Sequence, residues 1–174
     1  PAGGMDLVFG GGFLDYLDTK GFPTFCDATK SYGNSVDPAK KYLYDYRIAQ
    51  LFGELGISKT PAPVLVFAEL ANNVAKDVKD DTAWILGLNV GKLKKPGSWM
   101  ARWQYQYTER DAVVGAFTNS DFGGSGTDVK GHAIGADVQV TPQITASATY
   151  YINKRGVKNG FDYDRFQADM TFRF

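Results

Sequence analysis

Residues 165–174 read RFQADMTFRF. Taken alternately, Phe166, Ala168, Met170, Phe172 and Phe174 form one row, and Arg165, Gln167, Asp169, Thr171 and Arg173 form the other. Successive side chains of a strand point to opposite faces, so this is a strand with one apolar and one polar side, a pattern that no helical stripe reproduces. The sequence closes on an aromatic, Phe174.

Working back from that strand, the same period of two recurs. Residues 99–108, WMARWQYQYT, place Trp99, Ala101, Trp103, Tyr105 and Tyr107 on one face and Arg102, Gln104, Gln106 and Thr108 on the other. Residues 144–153 oppose Ile144, Ala146, Ala148, Tyr150 and Ile152 to Thr145, Ser147, Thr149, Tyr151 and Asn153. The segment before it carries Ile134, Ala136, Val138 and Val140 against Gly135, Asp137 and Gln139. Residues 82–93 set Trp84, Leu86, Leu88 and Val90 against Ile85, Gly87, Asn89 and Gly91, and residues 5–16 set Leu7, Phe9, Gly11 and Phe13 against Asp6, Val8, Gly10 and Gly12.

Two segments alternate less cleanly. Over 62–73, Val64, Val66, Ala68 and Leu70 share the apolar face, which leaves Leu65 and Phe67 beside Glu69 on the polar one. Over 42–57, Tyr42, Tyr44, Tyr46 and Ile48 are expected on the apolar face opposite Leu43, Asp45, Arg47 and Ala49. The parity then slips, since Leu51, Leu55 and Ile57 continue the apolar row while Phe52 and Glu54 oppose it. A β-bulge near Gln50 is expected to absorb the slip.

The sum is about eight strands of the ~9–11 residues that a tilted membrane strand needs. Composition agrees: 14% aromatics and 20 glycines favour strands and tight turns over helices. With 44% hydrophobic and 22% charged residues the chain is not disordered. Equal numbers of basic and acidic residues, 19 each, argue against a nucleic-acid partner held by counterion release. A mean hydropathy of −0.26 has the value of a water-soluble chain, but strands that face lipid with every second residue dilute that average. Cys26 is the single cysteine, so no internal disulfide forms, and its role stays open. A start at Pro-Ala-Gly-Gly without an initiator Met reads as a processed or partial chain.

The connections after the first, fifth and seventh strands read as long, and those after the second, fourth and sixth as short. Long external loops and short periplasmic turns would put both termini on the periplasmic side. Residues 18–41 and 110–130 are the two longest such loops; the first is the candidate constriction or lid. In that orientation Phe13, Tyr44, Trp84, Tyr105, Tyr107, Tyr150 and Phe166 gather towards the external ends of the strands, and Trp99, Phe172 and Phe174 towards the periplasmic ends. These are the membrane-interface aromatics of two girdles.

Nothing in the chain has the spacing of a catalytic or metal site. The Gly-rich DFGGSGTD segment, 121–128, has no Lys-Ser or Lys-Thr after it and reads as a flexible external loop rather than a phosphate cradle. His132, the only histidine, reads as a polar residue at the interface rim, and Asp80, Asp81, Asp162 and Asp164 as solvated loop charge. The charges on the polar face carry more weight: Asp45, Arg47, Glu54, Glu69, Arg102, Asp137, Asp169 and Arg173 are the pore-lining candidates. A charge facing lipid at the bilayer midplane costs about 2–4 kcal/mol for Arg or Lys, so in a membrane barrel these residues must face the lumen.

The series YLYDYRIAQLFGELG, the strand and loop WMARWQYQYTERDAVVGAFTNSDF and the closing DYDRFQADMTFRF resemble the C-terminal half of the putative porin family of Gram-negative outer membranes. The terminal strand, ending on Phe, is similar to the segment by which the barrel assembly machinery recognises outer-membrane barrels. The resemblance implies an all-β, antiparallel up-and-down transmembrane β-barrel. It is either complete in residues 1–174 or the C-terminal portion of a larger barrel with a comparable stretch of strands before Pro1. It implies a porin, a non-enzymatic passive channel for small hydrophilic solutes or ions. Such a channel needs no cofactor and touches outer-membrane lipid and lipopolysaccharide, and a homo-oligomer is compatible with it. Two alternatives stay open: a closed small outer-membrane barrel with a structural or adhesive role, its interior filled by side chains, and a soluble barrel binding an apolar ligand on an inward-facing apolar surface.

Overall fold

A computed structural model describes residues 4–174. The opening Pro-Ala-Gly, where the sequence reads as processed or partial, lies outside the described residues. Eight strands form one antiparallel sheet in chain order: β1 (Met5–Asp15), β2 (Arg47–Ile57), β3 (Val64–Asn73), β4 (Thr82–Gly91), β5 (Trp99–Thr108), β6 (Val129–Gln139), β7 (Ile144–Arg155) and β8 (Phe161–Phe172). Each strand pairs with its sequence neighbours, so the topology is up-and-down throughout. The sheet is open: β1 and β8 are its edges, and no ladder joins them among the described residues. Two short 3-10 turns, Gly115–Phe117 and Phe122–Gly124, are the only other regular elements in the described residues.

The two faces differ as the alternation requires. One face is bare and apolar, with Leu7, Phe9, Leu51, Leu86, Ile134, Phe166 and Met170 exposed, Phe9 to 81%. The other carries Glu54, Glu69, Gln104, Asp137, Thr149 and Gln167. An exposed apolar surface this broad does not persist in water on a soluble monomer. Buried residues lie on the opposite side, where the connections 16–46 and 109–128 fold back over the polar face. Ile48, Ala71 and Ala83 of three adjacent strands meet Ala112 from one connection. Tyr42 and Tyr46 meet Val114 in a second cluster, and Phe122, Val129 and Tyr151 form a third. Among the described residues the core is thus loop against sheet at one end of the strands, with no second layer.

This packing overturns one expectation. The β1–β2 and β2–β3 registers run without interruption from Asp15↔Arg47 to Met5↔Ile57 and from Ile48↔Asn73 to Ile57↔Val64. No bulge occurs at Gln50. Tyr42, Tyr46 and Ile48 are 2%, 0% and 3% exposed and belong to the loop-covered side. Parity never slips; the apolar residues change environment, from bilayer-type exposure in mid-strand to a protein core under the loops. A rule that equates apolar with lipid-facing fails where loops bring their own core.

Loop lengths differ from expectation in one place. The strands β7 and β8 extend further than their alternation suggested and leave only residues 156–160 between them. The connections 16–46 and 109–128 are long and emerge at the same end; the opposite end has the turns 58–63, 92–98 and 140–143.

Candidate pore wall and its loop cover

The polar face is a wall with an ion pair, Arg102–Asp137, at its centre. Arg102 Nε donates to Asp137 Oδ2 at 2.7 Å, and its Nη2 to Asp137 Oδ1 at 3.1 Å and to Thr149 Oγ1 at 3.2 Å. Three adjacent strands, β5, β6 and β7, supply these groups. Gly135 lies between them: a Cβ there would stand 2.9 Å from Arg102 Nη2, so the absent side chain lets the guanidinium lie flat along the sheet. Further round, Gln50 Nε2 donates to Glu69 Oε1, and Gln167 Nε2 to Asp169 Oδ1 at 3.2 Å. Glu54 is exposed on the same face. A bidentate Arg–carboxylate pair holds both charges in a set geometry, so the wall presents oriented dipoles.

The remaining pore-lining candidates lie elsewhere. Arg47 falls on the opposite face, where Nε meets Asp15 Oδ2 at 3.6 Å. Its assignment to the polar face rested on the parity slip that does not exist. Asp45 precedes β2 and accepts from Lys20 N at 2.9 Å, so it closes a loop rather than lining the wall. Arg173 follows the last paired residue of β8 and donates its N–H to Gln143 O at the short-turn end. Arg165, which the alternation placed on the polar row without singling it out, forms an ion pair with Asp121 at 3.0 Å and ties β8 to the 109–128 connection.

On the bare face the aromatics gather. Trp84 stacks on Tyr105 and Tyr107 with centroids 5.2 and 5.9 Å apart. Trp103 Nε1 donates to His132 Nδ1 at 3.2 Å, and the His132 ring stands edge-on to Tyr105 at 4.8 Å. His132 is thus a polar member of an aromatic band. Tyr150 is paired across the ladder with Phe166, and Phe172 with Ile144. Trp99 opposes Val138, and Phe174 is fully exposed beyond β8. Tyr44 is half-buried in the segment before β2, where its carbonyl accepts from Thr19 Oγ1 at 3.3 Å, so it belongs to the loop cover.

The two long connections are fastened to each other and to the wall. Asn34, 4% exposed, donates from Nδ2 to Arg110 O at 2.8 Å and Val113 O at 2.9 Å, and its Oδ1 accepts from Gly115 N at 2.8 Å. Asp111, 2% exposed, accepts from Ser35 N, Ser35 Oγ and Tyr46 Oη, while its carbonyl accepts from Asn73 Nδ2 of β3 at 2.9 Å. Burial, then the Asp111 carboxylate, push the Tyr46 phenol far up, so Tyr46 stays a donor. Backbone meets backbone at this junction. A Cβ on Gly126 would stand 2.3 Å from Tyr32 O, and one on Gly33 2.3 Å from Thr127 O.

Residues 109–128 span the wall. Ala112 and Val113 rest on β2–β4, and Phe122 packs on Tyr151 of β7 while Gly123 N donates to Asn153 Oδ1 at 2.9 Å. The DFGGSGTD segment, expected as a loose external loop, is docked on β6 and β7. Residues 18–41, expected as the constriction or lid, sit on this crossing segment. No sequence signal marks Asn34 or Asp111, because each gains its role from a partner about eighty residues away.

The wall has a bare apolar back and a polar front covered at one end by loops. The model of the putative porin family matches residues 51–174. The chain belongs to the putative porin family. No curated protein and no solved structure matches it. The matched segment starts within β2, so β1 and the 16–46 connection lie outside it. Membership supports a porin-like outer-membrane channel and suggests a non-enzymatic role. Among the described residues no helix is long and apolar enough to cross a membrane, which bears only on helical spans.

At the loop end the sheet carries an ionic rim. Arg110 Nη2 meets Asp128 Oδ2 at 2.8 Å, and Lys158 Nζ meets Asp80 Oδ1 at 2.6 Å. The hydrogen bonds to Asp128 and Asp80 raise the pKa of Arg110 and Lys158, which keeps both cationic. Lys158–Asp80 joins the connections after β7 and β3, and Arg110–Asp128 closes the connection after β5 on itself.

Proposed function

We propose that the protein is a passive diffusion channel of a Gram-negative outer membrane that passes small hydrophilic solutes and ions. The observation that carries this reading is the separation of the two faces: a continuous apolar face fit for lipid backs a polar face whose charges are oriented by Arg102–Asp137 and covered at one end by 109–128. The long-loop end is external and both termini are periplasmic, in keeping with loop lengths in such barrels. Passage is set by pore width, by the crossing segment and by the field of the paired charges.

The edges of β1 and β8 cannot stay unpaired in hydrocarbon, because each bare N–H or C=O costs several kcal/mol there. In the channel they pair with further strands of a wider barrel, which leaves an aqueous path that eight strands alone would fill with side chains. The open sheet order favours this over a closed eight-stranded anchor. The bare apolar face, opposite the loop cover, favours it over a soluble barrel with a greasy interior.

The test is a planar-bilayer recording of the full-length protein that contains this chain. Stepwise, ohmic conductance is expected. Correctly folded, heat-modifiable protein that inserts without conducting would overturn the channel reading in favour of a structural barrel.

A further inference from the structure

A cleft of about 420 Å³ opens at the loop end between the two long connections and the end of β7. Its charged lining is entirely basic: Lys30 and Lys40 from the first connection and Arg155 from β7. Thr29, Ser31 and Ser125 add hydroxyls, and no carboxylate lines it. In a chain with 19 basic and 19 acidic residues, three cations around an acid-free cleft are a local departure from the whole. Among the described residues, neither Lys40 nor Arg155 forms an ion pair, whereas Arg102, Arg110, Lys158 and Arg165 all do. Lys30 is shared with Asp27, 3.3 Å away and outside the lining.

The backbone is bent to make this cleft. Tyr32, Lys40 and Ser125 adopt φ of 50°, 59° and 80°, in the left-handed region that side chains disfavour. Such strain persists only where surrounding structure enforces it, and here it turns two separate loop segments towards one cavity. Gly124 completes the fit: a Cβ there would stand 3.3 Å from Arg155 Nη1, so the guanidinium lies directly against the loop.

We propose that this cleft is a binding subsite for a small soluble oxyanion, a phosphate- or carboxylate-bearing solute, at the mouth of the channel. Arg155 supplies the planar fork that oxyanions accept bidentately, the two lysines supply charge, and the hydroxyls complete the shell. Arg155 shares the polar face with Thr149, Tyr151 and Asn153, which puts the subsite on the side a solute travels rather than the side that meets lipid. The subsite selects anions at the loop end, while on the wall beyond it Arg102 is neutralised by Asp137.

The proposal rests on the channel reading, so its test measures equilibrium binding separately from conduction. Inorganic phosphate is titrated calorimetrically into the full-length protein in detergent free of lipopolysaccharide, at low ionic strength. The same titration is run on R155Q and K40Q, each checked for heat-modifiable folding. A saturable site is expected, weakened about tenfold by R155Q, the worth of one hydrogen bond to a charged group. K94Q, at the short-turn end, leaves it unchanged. Phosphate binding that R155Q and K40Q do not alter overturns the proposal. So does binding of lipopolysaccharide alone with no response to inorganic phosphate, which would assign the cations to lipid headgroups. Absent conductance with intact phosphate binding would remove the channel and leave the subsite.

Discussion

Arg102 and Asp137 meet on the diagonal between neighbouring strands, over Gly135, and are joined by two hydrogen bonds, of 2.7 and 3.1 Å. Arg102 is about one-third exposed at its side chain and Asp137 only 8%, so the carboxylate depends on the guanidinium for its compensation. Substituting Arg102→Gln leaves that carboxylate uncovered on the wall. Reversal potentials in a salt gradient are expected to shift towards cations, with a stability loss of about 1–3 kcal/mol for the unpaired group. Arg47→Gln is the control: its partner Asp15 lies on the opposite face, and selectivity should not move. A shift with Arg47→Gln of the same size would contradict the face assignment.

Asn34→Ala removes the three hydrogen bonds that join Asn34 to Arg110, Val113 and Gly115. The Val113 carbonyl and the buried Gly115 N–H lose their partner, at a cost of about 1–3 kcal/mol each where water cannot reach them, while Arg110 O keeps its bond from Thr127 Oγ1. The junction between 16–46 and 109–128 should open locally while the sheet persists. Faster amide exchange at Gly115 and Thr127, with β5–β7 amides still protected, is the expected signature.

Gly126→Val tests the same junction by volume. Its φ of 96° disfavours any side chain, and the new Cβ would meet Tyr32 O at 2.3 Å. Limited proteolysis should cut within the two long connections sooner than in the unaltered protein. Equal cleavage rates would mean that the loops do not meet there in the membrane.

The loop cover should loosen in alkali. The Tyr46 phenol is held above its ordinary 10.0 by burial and by Asp111. A group whose folded pKa is raised contributes stability that is fully present below the unfolded value and is lost as pH rises from there through the folded one. Protection of the junction amides should therefore fall above pH 10 or so, beyond what base-catalysed exchange alone gives. Tyr46→Phe should remove this component and weaken the junction at neutral pH.

Leu86→Arg and Gln104→Arg separate the two faces of the sheet. Leu86 is exposed at the middle of β4 on the bare face, and Gln104 lies on the polar face of β5, opposite Gly87. Arginine facing hydrocarbon at mid-depth costs about 2–4 kcal/mol, whereas on the lumen side it remains hydrated. Urea titrations of folding into lipid vesicles should find Leu86→Arg the more destabilising of the two. The reverse order would turn the sheet inside out.

The alternation of β5, β7 and β8 by itself determined that the protein is a two-faced antiparallel sheet, because a period of two survives any local context. It also determined which side of each strand in mid-sheet is apolar, and so placed Glu69, Arg102, Asp137 and Asp169 on one wall. The terminal strand RFQADMTFRF kept its reading: Phe166, Ala168 and Met170 are exposed on the bare face, and Gln167 and Asp169 lie on the other, joined by a hydrogen bond. Only the tertiary structure decided the environment at the strand ends. Tyr42, Tyr46 and Ile48 are apolar in any reading, and whether they face lipid or a core depends on 109–128 folding over them from distant sequence. The same holds for Asn34 and Asp111, and for Lys30, Lys40 and Arg155. Their roles arise from contacts between segments far apart in the chain, and no local periodicity encodes which loop a polar side chain will meet.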